Sequence, residues 1–298
     1  MINIFYKYNY IRNFIGNTRC FLSKNIMNKY KLKNNIYFKV ESDNLTGSIK
    51  DRISYRIIKD AIDKKVINKN TIVMEATSGN TGISIACICY ILNLSCIIVM
   101  PSNTSIKKIN LIKKYNGNVL LVDGGMNEAV DKLNELKNIY KNHFILDQFN
   151  NELCVSEHYE ITACEILNDV KTVDVFVCGI GTGATFTGCA RKFKETNSDC
   201  KCIGVLPFDK NNIIEGIGAG FIPKNLDLKL LDEVIYVSNS NAKYYQKVLS
   251  NTEHLYCGYS SGSAVYACIS LSNKYEGKNI VCILPDDENR YIINRKDI

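Results

Sequence analysis

Three times in this chain an apolar strand runs into a turn of Gly, Ser and Thr and out into a helical pattern. The turns lie at Thr77–Gly82, Gly179–Thr185 and Gly258–Gly262. At each, backbone N–H groups at a helix start face outward, where they can hold an anion. The same strand-then-helix rhythm fills the rest of the chain. Helix 49–65 leads to strand 71–75, helix 83–92 to strand 96–100, helix 105–115 to strand 119–122, and helix 126–140 to strand 144–146. A second run follows: helix 157–167, strand 173–178, helix 186–194, strand 202–206, strand 234–237, helix 242–250, helix 263–274 and strand 280–284. Repeated βα alternation predicts parallel sheets covered by helices. Two such runs predict a two-lobed α/β chain, each lobe a mainly parallel sheet flanked by helices. The almost wholly apolar run Ile83–Leu92 reads as a helix buried between layers.

A fourth stretch of interest is Thr46-Gly47-Ser48-Ile49-Lys50-Asp51-Arg52. A strand pattern, 36–40, leads in, and a helical pattern with Ile49, Ile53, Ile57 and Ala61 on one side leads out. Ser48 and Asp51 read as caps for free backbone N–H groups at that helix start. Lys50 then sits in the first turn, where the helix dipole opposes a cation and burial weakens it further. A lysine held so has a lowered pKa, as a nucleophile for an aldehyde or a proton shuttle requires. A lone lysine more often snorkels to solvent; the loops change the balance.

Composition excludes other classes. The chain of 298 residues is 46% hydrophobic and carries a net charge of +7, spread thinly in Lys-Lys pairs at 64–65, 107–108 and 113–114. No basic block is interleaved with aromatics, so no nucleic acid is expected as partner. Thirteen cysteines lie mostly inside apolar runs, and none form the pairs spaced for zinc; no metal is expected, and the cysteines suit a reduced, cytoplasmic setting. Met1 to Tyr10 has no continuous apolar core, and the longest apolar stretch, broken at Asn93, is too short for a membrane span.

Of the anion loops, 179–185 suits a phosphate: glycines admit close approach, and Thr182 and Thr185 add hydroxyls. It differs from a dinucleotide fingerprint, because the spacing is Gly-x-Gly-x-Gly and Leu206-Pro207 stands where an acid would close the next strand. The loop at 77–81 suits a carboxylate and offers Asn80 as an amide donor; the last offers Ser260 and Ser261. A phosphate loop, a carboxylate loop and a helix-start lysine together specify an aldehyde cofactor with a phosphate tail and an amino-acid substrate, which is pyridoxal phosphate.

The chain resembles cysteine synthases (O-acetylserine sulfhydrylases) of the β-family, fold type II, of pyridoxal-phosphate enzymes. The matching stretches are Ile15-Gly-Asn-Thr18, Thr46 to Arg52, Glu75-Ala-Thr-Ser-Gly-Asn-Thr-Gly82, Asp174 to Gly183, Gly216-Ile-Gly-Ala-Gly-Phe-Ile-Pro223 and Ser260-Ser-Gly262, in family order over nearly the whole chain. The resemblance implies that Lys50 links to the cofactor aldehyde and later moves the α-proton. It implies that Asn80 bonds the cofactor ring oxygen, that Gly181, Thr182, Gly183, Ala184 and Thr185 cradle its phosphate, and that Ser260 faces its pyridine nitrogen. Thr77, Ser78, Gly79 and Thr81, helped by Gln148, would grip the substrate carboxylate.

The implied reaction is ping-pong: acetate leaves O-acetyl-L-serine, sulfide takes its place, and L-cysteine forms. The family lobes interleave, with residues 41–150 as a smaller mobile lobe and 1–40 plus 151–298 as the larger. A homodimer is implied, and family members dock the C-terminal tail of serine acetyltransferase. Rival readings are O-phosphoserine, homocysteine or an amine in place of the usual partners, or a non-catalytic paralogue. Gly218-Ala219-Gly220-Phe221 resembles the O-acetylserine type. Ala184 stands where the family usually has Gly, Arg19 and Leu45 replace prolines, and the stretch from Leu206 to Gly216 is short.

Overall fold

The structure is a computed structural model that describes residue 8 and residues 10–291. The described strands are β1 (Cys20–Leu22), β2 (Asn35–Val40), β3 (Ile72–Ala76), β4 (Ser95–Pro101), β5 (Asn118–Val122), β6 (His143–Ile145), β7 (Val175–Gly179), β8 (Lys201–Pro207), β9 (Glu233–Val237) and β10 (Asn279–Leu284). They fall in two compact units. One runs from 44 to 147 with the described residues up to Gly16 and from Asn289 on; the other comprises 17–43 and 148–288.

The sequence reading put both chain ends with the larger lobe. Side-chain contacts explain why their described parts group with 44–147. Tyr55 donates its hydroxyl to the Tyr8 carbonyl, and Ser105 donates to the carbonyl of Arg290. Residues 1–7, 9 and 292–298 of the expected lobes lie outside the described residues.

In the first unit the sheet order is β5-β4-β3-β6, all parallel. Continuous apolar strands such as β4 require cover on both faces. Helix Met126–Ile139 covers one face, packing Ala129, Leu133 and Leu136 on Met74, Ala76, Ile97 and Val99. Helix Asn80–Leu92 is buried along nearly its whole length, as its unbroken apolar sequence requires. Its Ile83, Ile85 and Ile88 are fully buried, each contributing about 1.5–3 kcal/mol. It ends at Asn93, which takes the left-handed conformation (φ 58°), a role that suits asparagine.

In the second unit the order is β1-β2-β10-β7-β8-β9; only β1 is antiparallel to its neighbour. Its core gathers Ile36, Phe38 and Val40 of β2, Val175 and Val177 of β7, and Ile280, Cys282 and Leu284 of β10. All thirteen cysteines are free thiols, and all but Cys20 and Cys164 are buried.

Two elements depart from the sequence expectation. The helix read as 157–167 starts earlier, at Glu152, because Asn151 caps it by accepting from the Leu153 N–H at 3.1 Å. It then passes through a π-turn, His158–Thr162, before helix Ala163–Val170. The helix read as 263–274 is Tyr259–Ser270, so Ser260 and Ser261 lie in its first turn rather than in a preceding loop.

Candidate active site

Lys50 opens helix Lys50–Asp63. The loop before it turns at Gly47, whose φ is 84°, a value glycine adopts without a β-carbon clash. The two expected caps are arranged differently. Ser48 Oγ accepts from the Lys50 N–H at 3.3 Å, but Asp51 turns back to accept from the N–H and the hydroxyl of Thr46, both at 2.6 Å. Ser84 Oγ, on helix Asn80–Leu92, donates to Asp51 Oδ1 at 2.5 Å. Asp51 is fully buried. Burial pushes its carboxyl above the usual range, against these hydrogen bonds and the charge of Arg290. The network anchors the turn that carries Lys50 to the neighbouring helix.

The loop after β3 presents Thr77 to Thr81. Thr77 is buried, and its hydroxyl accepts from the Gly79 N–H at 3.2 Å. Ser78 is exposed, Asn80 half-buried and Thr81 buried. A β-carbon on Gly79 would lie 3.1 Å from Lys108 Nζ. Lys108 itself is buried and stands 5.0 Å from the Tyr291 ring centroid. Asn80 Oδ1 accepts from Arg290 Nη1 at 3.0 Å. Behind the loop, Glu75 of β3 is buried and accepts from the Asp147 N–H at 3.0 Å. Burial pushes its carboxyl from 4.5 up to about 8, opposed by backbone donors at Asp147 and Leu146.

In the second unit, β7 delivers the loop that precedes helix Ala184–Thr196. Gly181 to Gly183 form a continuous bend. A β-carbon on Gly181 would come within 2.1 Å of the Gly216 carbonyl oxygen, so only glycine lets these two backbone segments pass. Gly183 takes φ 81°. Ala184 begins the helix without positive φ, so its methyl is accommodated. Thr182 is buried, and Thr185 Oγ1 lies 3.1 Å from His158 Nε2, whose Nδ1 is 2.9 Å from Thr162 Oγ1. His158 is the first residue of the π-turn.

Ser260, in the first turn of helix Tyr259–Ser270, is buried. Gln148 is buried in the same unit, where Asn225 donates to its carbonyl at 2.9 Å.

Each unit carries groups of a kind that a phosphorylated aldehyde calls for. Among the described residues, no backbone carbonyl accepts from the N–H groups of Gly181, Thr182 or Gly183. N–H groups left open at a helix start, in a segment that also carries Thr182 and Thr185, are of a kind that can hold an anion. The glycine contacts leave no room for β-carbons at Gly181 and Gly183. Lys50 supplies an amine, and Asn80 an amide whose carbonyl end is fixed.

The family model described as pyridoxal-phosphate dependent enzyme matches residues 11–286. The chain belongs to the pyridoxal-phosphate-dependent enzymes. It is 39% identical over 294 residues to cysteine synthase B of Campylobacter jejuni, covering 95% of this chain and 96% of that protein. It is 38% identical over 301 residues to the cysteine synthase of Buchnera aphidicola from Schizaphis graminum, covering 93% and 92%. Among solved structures it matches a hydrogen sulfide-producing enzyme of Fusobacterium nucleatum, with TM-score 0.89, 37% identity and coverage of 95% and 99%. The two-lobed α/β fold is that of this family.

Within this pyridoxal-phosphate enzyme, sequence reasoning missed Arg290, Lys108, Glu75 and His158 as neighbours of the candidate residues. Arg290 and Asn80 are 210 residues apart, and no periodicity links them. An isolated buried charge carries no local signal. For His158, the sequence reads as an unbroken helix over 157–167, and nothing in it points to the π-turn.

Proposed function

We propose that this enzyme makes L-cysteine by β-replacement, from O-acetyl-L-serine and sulfide. The observation that carries the reading is the match to proteins named cysteine synthase over nearly the full length of both chains. The sequence Gly218-Ala219-Gly220-Phe221 also supports it.

In this reading the phosphate is held by Gly181, Thr182, Gly183, Ala184 and Thr185, and Lys50 Nζ binds the aldehyde. Asn80 donates to the ring oxygen. Ser260 meets the pyridine nitrogen with a neutral hydroxyl, which tempers electron withdrawal relative to an aspartate. Thr77, Ser78, Gly79, Thr81 and Gln148 orient the substrate carboxylate. Bound pyridoxal phosphate supplies an electron sink for charge at the substrate α-carbon. Lys50 would take the α-proton as acetate departs from the β-carbon, and would return it to the α-carbon once sulfide has bonded at the β-carbon. The protein works as a cytoplasmic homodimer, with a serine acetyltransferase tail as a candidate partner.

A second reading follows from the likeness to the hydrogen sulfide-producing enzyme. The same residues would act on cysteine, with sulfide as the leaving group.

The test is the visible absorption of the purified protein. O-acetyl-L-serine alone should move the band to longer wavelength, and sulfide should restore it. A band that ignores O-acetyl-L-serine but responds to cysteine would favour the second reading. A protein that takes up no pyridoxal phosphate would refute both.

A further inference from the structure

Arg290 closes the short 3-10 turn Glu288–Arg290 and is 2% exposed. Its Nη1 donates to Asn80 Oδ1 at 3.0 Å. Ser105 Oγ, 3.3 Å away, donates to its backbone carbonyl and holds the turn in place. Its Nε has no acceptor among the described residues. Asn80 is the first residue of helix Asn80–Leu92. A cation is disfavoured at that end of a helix, and burying a guanidinium is costly unless it is well bonded. Buried Asp51, whose carboxyl feels the charge of Arg290, offsets part of that cost; the hydrogen bond to Asn80 Oδ1 is a directional contact besides.

The consequence lies in the chemistry of an amide. The two ends of an asparagine side chain are almost the same size but opposite in function: one accepts, the other donates. Which end points where is decided by the neighbours. A guanidinium has donors only, so it binds Oδ1 and turns the NH2 end away from itself. An amide fixed in this way presents donors on its far edge, which suits an oxygen carrying negative charge.

We propose that Arg290 is the positioning residue for Asn80, fixing the amide so that its N–H groups meet the ring oxygen of bound pyridoxal phosphate. The proposal rests on reading Asn80 as a cofactor contact. Arg290 touches no reacting atom; it acts through Asn80. A purely structural role, tying residues 289–291 to their unit, would lower stability without changing how the cofactor is bound.

The experiment is a double-mutant cycle in the full-length protein with Arg290→Met, Asn80→Ala and the pair. The readouts are the dissociation constant for pyridoxal phosphate, the wavelength of its visible band when bound, and Tm. Arg290→Met should weaken cofactor binding about tenfold and shift the band, the range expected when a charge-assisted hydrogen bond is lost. In the Asn80→Ala background the same change should alter binding less than about twofold, because coupled residues are not additive. Arg290→Lys keeps the charge but loses the planar fork and should fall between. It also carries the test if Arg290→Met fails to fold.

The proposal is overturned if the Arg290 variants bind cofactor like the wild type, or if Arg290→Met weakens binding equally with and without Asn80. Wild-type protein that binds no pyridoxal phosphate would instead overturn the cofactor reading, and the proposal with it.

Discussion

Ser84 donates to Asp51 at 2.5 Å, and this contact joins the helix that begins at Lys50 to the helix that begins at Asn80. Asp51 is fully buried, and it also accepts from the N–H and the hydroxyl of Thr46. Removing a partner from a buried carboxylate costs more than an ordinary hydrogen bond, about 1–3 kcal/mol. Ser84→Ala should therefore lower unfolding stability by roughly 2 kcal/mol in a urea titration. Asp51→Ala, which strands both Thr46 donors and Ser84, should lower it further.

Glu75 gives a pH dependence with a definite sign. Its carboxyl is pushed from 4.5 up to about 8 by burial, so the folded state binds this proton more tightly than the unfolded state. Stability from this group is then fully present below about pH 4.5, falls as pH rises, and levels off above about 8. Glu75→Gln removes the titration. Between pH 5 and pH 8 the wild-type Tm should drop by several degrees more than that of the variant, on the general scale of roughly 2–4 °C per kcal/mol. Parallel profiles would show that Glu75 is ionised throughout.

The phosphate loop separates steric demand from family habit. Gly181→Ala places a methyl 2.1 Å from the Gly216 oxygen, and overpacking of this kind costs about 1–3 kcal/mol. It should also reduce uptake of pyridoxal phosphate more than tenfold, measured by absorbance titration. Ala184→Gly, which restores the usual family residue, should leave uptake unchanged and shift stability by no more than about 1 kcal/mol.

Much of this architecture was legible in the sequence because it is local. The apolar run Ile83–Leu92 demands burial, and it is buried. The alternation of apolar strand and helix gave the parallel sheets, apart from β1, too short to declare its direction. The loops at 77–81 and 179–185 were visible because Gly, Ser and Thr have few other reasons to cluster after a strand. What the chain order concealed is contact between distant segments. Gly258–Gly262 reads as a turn, yet Gly262 is inside a helix; a β-carbon there would meet the Ala242 carbonyl at 2.1 Å. The glycine serves helix approach, a demand set by helix Asn239–Glu253 and unseen locally. Arg290 on Asn80 and His158 beside Thr185 are of the same kind. Asp51 was read as a cap for its own helix, where local spacing pointed; Thr46 and Ser84 claimed it instead.

The central claim is that Lys50 and pyridoxal phosphate together carry out β-replacement on O-acetyl-L-serine. The direct measurement is formation of L-cysteine from O-acetyl-L-serine and sulfide by the reconstituted full-length protein, beside Lys50→Ala at equal cofactor occupancy and with its Tm recorded. The account predicts turnover by the wild type on the order of 1 s⁻¹ or faster and a loss of at least about a thousandfold in the variant, with little change in Tm. Cysteine formation by Lys50→Ala at the wild-type rate would contradict it.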